Sequence, residues 1–317
     1  MTYLKLLKQY FRVSILFLGI LFPFSVAIAD NKTIGITQIV EHPSLNAIRE
    51  GIIAELRKQG FIEGKNLTII YESAQGNPTT AVQIAQKFAS LPLDVVVPIA
   101  TPSAQAIVHQ IKKTPVVFAA VSDPLSAKIV SSLDHPGGNV TGVTDTPPLA
   151  EQLNFIETCI PQLKTLGVVY NPGEANNVAM LEALTPLAKE KNIKILTATA
   201  SQSADVQAAA KSLVTRVDAI FVGNDNTVVS GLEALVKTCL NEKKPLFVSD
   251  PDSVNRGALA AYAYDQRQMG EQVGSMVARV LKGANPGDMP VERATDLKFS
   301  LNPQTAEQIQ VTCKVAR

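Results

Sequence analysis

The sequence of 317 residues has no tryptophan, only three cysteines and only three histidines. Three cysteines cannot build the framework of a small disulfide-bonded domain, and their spacing to the histidines matches no zinc motif. The sequence also lacks the glycine-rich phosphate loops of nucleotide-binding proteins, the Gly-x-Ser-x-Gly turn of hydrolases and the His-Glu-x-x-His motif of metalloproteases. We therefore expect no enzyme, no metal and no cofactor.

Charge is nearly balanced, with 29 Lys and Arg against 28 Asp and Glu and no basic block. This balance argues against a nucleic-acid partner. Apolar residues make up 46% of the sequence and aromatic residues only 5%. A chain of this length and composition is typical of two α/β domains, each with its own core.

The first 29 residues have the pattern of a secretory signal peptide. Lys5, Lys8 and Arg12 precede an apolar run at residues 13–24, and Ala27-Ile28-Ala29 forms a small-x-small cleavage site. The run is short for a membrane span, although an uncleaved anchor is the alternative. No cysteine follows the site, so a lipid anchor is not expected. Removal of this basic leader changes the formal net charge from +1 to −2, and we expect a periplasmic protein.

The three cysteines lie far apart. Cys159 and Cys239 fall in helical apolar patterns, which favour buried free thiols, although a disulfide between them would be possible after export. Cys313 lies in the polar tail and is expected to be an incidental thiol.

Beyond the leader, short β-rich runs alternate with longer helical periods, and the pattern occurs twice. Four pairs of positions or segments are equivalent in the two copies: Gly35 and Gly167, Asp94–Val97 and Asp218–Phe221, Ala100–Ser103 and Gly223–Asn226, and Ser122-Asp123-Pro124 and Ser249-Asp250-Pro251. Such a repeat predicts an α/β fold of two similar, doubly wound parallel-sheet (Rossmann-like) domains, joined by a hinge at Pro147-Pro148. We expect residues 30–145 and 265–290 to form the N-terminal lobe, and residues 146–264 and 291–317 the C-terminal lobe.

One stretch illustrates the repeated unit. Leu166–Tyr170 is a predicted strand that ends at a turn, Asn171-Pro172-Gly173, and Asn176 or Asn177 is expected to cap a helix that begins at Val178. Residues 34–44 form the same arrangement in the first copy. Strand, turn and helix N-terminus together present backbone N–H groups at the carboxyl edge of a sheet, where open α/β sheets bind ligands.

The loops after the predicted strands of both copies would meet at one cleft between the domains. Their side chains are hydroxyls, amides and carboxylates, without Lys or Arg. We expect ligand contacts at Gln38, His42, Thr101, Pro102, Ser103, Ser122, Asp123, Asp145, Asn171, Glu174, Ala175, Asn176, Asn177, Asp225, Asn226 and Asp250.

This composition disfavours a phosphate, which is normally bound by Arg, Lys or a glycine-rich loop. It favours a zwitterion such as an amino acid. The helix N-termini at Thr101 and Asn176 would hold a carboxylate. An ammonium would need an opposite charge on leaving water, and four carboxylates are available: Asp123, Asp145, Asp225 and Asp250. For each of these residues, a purely structural role in a turn or helix cap is the alternative.

Several motifs make the chain similar to the periplasmic substrate-binding proteins of ABC transporters, in the branch associated with tryptophan and other aromatic amino acids. The resemblance spans the mature chain and depends on residues 36–43, 101–105, 117–124, 142–145, 169–177, 225–230, 252–253 and 257–260. It implies a type I binding-protein fold that closes on its ligand without catalysis. It also implies a monomer that delivers an aromatic amino acid to a separate permease and ATPase and meets the membrane only through them. The pair Gly223-Asn224 departs from the family pattern.

Two other functions remain open at this point. A periplasmic sensor module would bind the same kind of ligand but pass its closed state to a signalling partner. A hydrolase or aldolase would use the cleft carboxylates as acid and base, and its turnover would disappear when Asp123 or Asp250 is replaced by asparagine.

Overall fold

The structure is a computed structural model and describes residues 31–314. The signal peptide expected at residues 1–29 lies outside this range. The described residues form the strands β1 Lys32–Gln38, β2 Leu67–Ser73, β3 Val95–Ile99, β4 Val116–Ala119, β5 Val140–Thr144, β6 Thr165–Tyr170, β7 Lys194–Thr199, β8 Ala219–Val222, β9 Leu246–Val248, β10 Ala260–Tyr264, β11 Glu292–Arg293 and β12 Leu297–Leu301. They form the helices α1 Pro43–Lys58, α2 Pro78–Ser90, α3 Thr101–Gln110, α4 Leu149–Cys159, α5 Ala175–Glu190, α6 Val206–Val214, α7 Asn226–Ser230, α8 Leu232–Asn241, α9 Pro251–Asn255, α10 Gln266–Leu281 and α11 Pro303–Ile309.

The strands build two six-stranded sheets with the same order of equivalent strands. The first sheet runs β11-β5-β4-β3-β1-β2 and is parallel throughout. The second runs β12-β10-β9-β8-β6-β7 and is parallel except for the edge strand β12. The predicted fold class, two similar parallel-sheet α/β domains, is therefore confirmed.

Equivalent aspartates fix the starts of the first strands of the two sheets. The carboxylate of Asp94, before β3, accepts the backbone N–H of Thr33 at 2.7 Å. Asp218, before β8, accepts the backbone N–H of Thr165 at 2.8 Å. Both strands that come after these aspartates, β3 and β8, are fully buried. This is the pattern of central strands that are covered by helices on both faces.

The chain crosses between the sheets three times. The crossings come after β5, β10 and β11, and the first one contains Pro147 and Pro148. Glu292 and Arg293 still pair with β5 in the first sheet, so the last crossing falls after residue 293 rather than after residue 290. The helix after the second crossing, α10, packs against α1 of the first sheet.

Three glycines allow α1 and α10 to pack with their backbones in contact. A methyl group on Gly51 would collide with the carbonyl oxygen of Arg267, and one on Gly270 with that of Ile48. A methyl group on Gly274 would lie 2.8 Å from the carbonyl oxygen of Ile52. These contacts involve backbone atoms, which a rotamer change cannot relieve.

We expect Gly270→Ala to destabilise the protein. Helix propensity alone would favour alanine by about 0.5–1 kcal/mol, but overpacking against backbone costs about 1–3 kcal/mol, so the net change should be a loss. Denaturant unfolding measures it, and Gln268→Ala, at an exposed position of the same helix, should change stability little. Stabilisation by Gly270→Ala would contradict the close approach of the two helices.

The predictions for Cys159 and Cys313 were wrong, whereas that for Cys239 is confirmed. Cys159, at the end of α4, forms a disulfide with Cys313, and Cys239 in α8 is a buried free thiol. The tail after α11 runs back along α4, where the backbone N–H of Lys314 donates to the carbonyl of Thr158. Burial raises the pKa of Cys239 to about 12, so this thiol stays protonated and unreactive.

Within residues 31–314, the structure contains no helix that is both long and apolar enough to cross a membrane.

Candidate functional site

The loops at the carboxyl ends of the strands of both sheets enclose a cavity between the lobes. Its volume is about 410 Å³ with the adjoining open solvent included. Half of the predicted site residues line it: His42, Thr101, Ser122, Asp145, Asn176, Asp225, Asn226 and Asp250.

The other predicted site residues lie outside the cavity wall. Gln38 is buried and donates to the carbonyl of Val40 and to the side chain of Asn46. Asp123 accepts the backbone N–H groups of Leu125 and Ser126, which is the structural role considered as the alternative. Pro102, Asn171 and Glu174 line an outer groove, Ser103 and Asn177 are buried behind the wall, and Ala175 is the half-buried first residue of α5.

Seven further residues line the cavity without having been predicted as ligand contacts: Ser44, Leu45, Ala100, Ala120, Asn224, Val229 and Gln266. Leu45 and Val229 occur in apolar helical patterns, which predict a core position. Ala100 and Ala120 come directly after β3 and β4 with φ of 74° and 52°, a conformation that non-glycine residues seldom adopt and that alanine does not signal in a sequence. Asn224 was identifiable only as a polar residue after a predicted strand.

Two helices direct uncapped N-termini toward the cleft, one from each lobe. Helix α3 begins at Thr101, and α5 begins at Ala175, and neither has a hydrogen bond from a side-chain cap. The cap expected at Asn176 or Asn177 is therefore wrong, because α5 begins earlier and both asparagines lie in its first turn. The Thr101 hydroxyl and the Asn176 carbonyl oxygen are buried without a hydrogen-bond partner among the described residues. Free N–H groups at both helix ends are suited to an anion.

Asp145 comes after β5 at the first crossing and is buried. Its Oδ1 accepts the hydroxyl of Ser122 at 2.9 Å, and its Oδ2 accepts the side-chain amide of Asn224, from the other lobe, at 2.7 Å. Burial raises the pKa of Asp145 to about 6, although both hydrogen bonds act to lower it. At pH 7 the carboxyl is therefore mostly ionised, in a cavity that has no Lys or Arg among its described lining residues. A buried anion of this kind is suited to a cationic ligand group.

The pKa of Asp225 is raised further than that of Asp145. Burial, together with the nearby carboxylate of Glu174, raises its pKa to about 8, although the backbone N–H groups of Asn171 and Val228 donate to it at 2.6 and 2.9 Å. Glu174 itself accepts four hydrogen bonds from Asn226 and Thr227. Burial and Glu174 thus favour the neutral form of Asp225, and Glu174 serves to join two loops of the C-terminal lobe.

The N-terminus of α1 contributes His42 and Ser44. The Ser44 hydroxyl donates to Oδ1 of Asp250 at 2.6 Å, across the cleft. His42 is the N-cap of α1, and burial lowers its pKa to about 4 against the opposing effect of Asp250. With the contact between Asn224 and Asp145, the bond from Ser44 to Asp250 joins the two lobes, so the structure describes a closed cleft.

Two similar lobes around a polar cleft define the class of two-lobed ligand-binding proteins with the type I periplasmic binding protein fold. The family model described as ABC transporter substrate binding protein matches residues 33–316. The chain therefore belongs to this family and is the substrate-binding component of an ABC transporter rather than an enzyme. Such a component works with the permease and ATPase of an importer.

A relative named tyrosine-binding protein, from Clostridioides difficile (strain R20291), is 36% identical over 280 residues, covering 88% of this chain and 81% of the relative. The crystal structure of an ABC domain from Streptococcus pneumoniae in complex with L-Trp is 33% identical, with a TM-score of 0.86, covering 90% of this chain and 96% of that chain.

A substrate-binding protein with adhesive properties from Clostridium difficile has been solved in a ligand-free, open form. It is 35% identical to this chain with a TM-score of 0.68, and the alignment covers 88% of this chain and 95% of the solved one. At similar identity, the present structure is closer in shape to the tryptophan complex than to this open form. The comparison agrees with the hydrogen bonds that join the lobes.

Proposed function

We propose that this protein binds an aromatic amino acid in the cavity between its lobes and presents it, in the closed form, to an ABC permease. The observation that carries the proposal is the charge pattern of the cavity. Its wall combines three buried carboxyl groups with two uncapped helix N-termini, and none of its described residues is Lys or Arg. This pattern complements a zwitterion.

Each group of an amino acid has a counterpart in the wall. The ligand carboxylate would accept hydrogen bonds from the N-termini of α3 and α5 near Thr101 and Asn176. The ammonium would pair with Asp145, which is mostly ionised at pH 7. The ring would pack against the apolar side chains of Leu45 and Val229. The ligands named for the C. difficile relative and the S. pneumoniae structure support an aromatic side chain.

The remaining parts of the proposal concern location. Residues 1–29 would direct export and be removed, and the mature chain would act as a periplasmic monomer without a lipid anchor. The disulfide between Cys159 and Cys313 supports this location, because disulfides persist in oxidising compartments.

Thermal unfolding of ligand-stripped protein tests the proposal. Among the twenty amino acids, we expect tyrosine, phenylalanine or tryptophan to raise the melting temperature most. A ligand at about a thousand times its Kd stabilises by about 4 kcal/mol, which corresponds to a shift of roughly ten degrees for a chain of this size. If no amino acid shifts the transition, or only a non-aromatic one does, the proposed ligand class is wrong.

A further inference from the structure

His42 has a fixed tautomer in this structure. The side chain lines the cavity and is 8% exposed. Its Nδ1 accepts the backbone N–H of Leu45 at 3.5 Å, in the first turn of α1. An imidazole nitrogen that accepts a hydrogen bond carries the lone pair, so the proton of the neutral ring lies on Nε2.

The Nε2–H group is a buried donor. Among residues 31–314, no group makes a well-formed hydrogen bond with Nε2. Burial lowers the pKa of His42 to about 4, while Asp250 and the side chain of Asn226 raise it and Arg256 lowers it, so the ring is neutral at pH 7. A buried donor without a partner is costly. A ligand atom that accepts this hydrogen bond would remove that cost.

The surroundings of His42 indicate which part of the ligand it meets. Leu45, bonded to His42 through its backbone, also lines the cavity, as does Val229 of the other lobe. This part of the wall therefore combines the apolar side chains of Leu45 and Val229, against which the ligand ring is proposed to pack, with polar groups beside His42, namely Asp250 and Asn226. A separate hydrogen-bonded group consists of the ionised carboxyl of Asp145 and its two donors, Ser122 and Asn224.

Granted that the protein binds an aromatic amino acid, we propose that His42 selects tyrosine over phenylalanine and tryptophan by donating a hydrogen bond from Nε2 to the phenolic oxygen. The three rings differ in hydrogen-bonding capacity. The phenol accepts as well as donates, the indole N–H only donates, and the benzyl ring has no polar group. The phenolic oxygen can therefore accept the Nε2–H of His42, whereas neither the benzyl ring nor the indole N–H can.

Isothermal titration of the ligand-stripped protein with L-tyrosine, L-phenylalanine and L-tryptophan tests this selection. We expect wild-type protein to bind tyrosine roughly ten- to a hundredfold more tightly than phenylalanine, since a buried donor is left unpaired with the latter. His42→Asn keeps an oxygen that caps α1 but has no group that reaches the position of Nε2. Its affinity for tyrosine should fall to that for phenylalanine, which should itself change less than about threefold. His135→Asn, in an exposed loop, is the matched control and should change neither affinity.

The possible results separate this inference from the proposed function. Equal losses for tyrosine and phenylalanine in His42→Asn would show that His42 holds the amino-acid head group or only shapes the loop, and would overturn the inference. A wild-type preference for tryptophan would overturn it as well, while leaving an aromatic ligand in place. Failure of the wild-type protein to bind any of the three would instead refute the proposed function.

A second variant covers the case in which His42→Asn does not fold. His42→Gln places an amide donor near the position of Nε2 and is expected to keep tyrosine ahead of phenylalanine. Equal affinities for the two ligands in a folded His42→Gln protein would contradict the selection by Nε2.

Discussion

Asp145→Asn is expected to weaken the binding of an aromatic amino acid by about a hundredfold or more, because removing one partner of a buried charge pair costs about 2–5 kcal/mol. Asp145 is a buried carboxyl at the cleft, and it is mostly ionised at pH 7 because its pKa, although raised, is about 6. Isothermal titration with L-tyrosine and L-phenylalanine measures the loss, which should be similar for both ligands since the ammonium is common to them.

The substitution should leave the ligand-free fold intact. The asparagine oxygen can accept the amide of Asn224, and its NH2 group can donate to the hydroxyl of Ser122. Burial raises the pKa of Asp145 in the folded state above its ordinary value of 3.8. The stability that the protonated form contributes is complete below this ordinary value and is lost as the pH rises through about 6. At pH 7 the charge is therefore unfavourable without ligand, and the variant should melt no lower than wild type.

The pH dependence of binding provides the diagnostic control. Between pH 7 and pH 5 the ionised fraction of a carboxyl with a pKa of about 6 falls roughly tenfold, so wild-type affinity should weaken by a similar factor and that of Asp145→Asn should not. Asp123→Asn is the matched variant, because Asp123 follows the neighbouring strand β4 but accepts backbone N–H groups within its own turn. It should bind nearly as wild type. Full affinity in Asp145→Asn, with a loss in Asp250→Asn, would place the ammonium at Asp250 instead.

The comparison of Asp123 with Asp250 shows how far the sequence repeat predicts the site. Both come after a strand within Ser-Asp-Pro, and the repeat correctly predicts two equivalent sheets. After Asp250 the chain forms the helix α9, and this aspartate faces the cleft and accepts the Ser44 hydroxyl. After Asp123 the chain forms turns instead, and the carboxylate is used locally. The local motifs are equivalent, but the packing of the helix or turns after each motif decides which aspartate lines the cavity.

Other parts of the site depend on contacts that no local pattern encodes. Leu45 and Val229 have the spacing of core residues, and only the closed arrangement of the lobes places them on a ligand cavity. Hydroxyl and amide residues after strands, such as Thr101 and Asn176, were predictable because parallel strands end at one edge. The partner of Cys159 was not predictable, since Cys313 is 154 residues away and no spacing rule links the two.

Removal of this disulfide is the second change from which we expect a large effect, here on the free energy of unfolding. The double variant Cys159→Ser/Cys313→Ser should lose about 3–5 kcal/mol of unfolding free energy, because the disulfide closes a very long loop in the unfolded chain. The tail beyond α11 also packs on the core of the C-terminal lobe through Val311 and Cys313. Without the bond, residues 311–314 are held mainly by these contacts and by the hydrogen bond from Lys314 to Thr158. Denaturant unfolding under oxidising conditions measures the loss.

Reducing agent separates the disulfide from the side effects of substitution. Wild-type protein should lose a similar free energy when dithiothreitol is present, whereas the double variant should unfold at the same denaturant concentration with and without it. Cys239→Ala is the matched control, because Cys239 is a buried free thiol, and this variant should keep the full response to the reductant. Neither Cys159 nor Cys313 lines the cavity, so the affinity of the folded double variant for an aromatic amino acid should match that of wild type. An unchanged unfolding transition in reduced wild-type protein would show that the tail contributes its stability through packing alone.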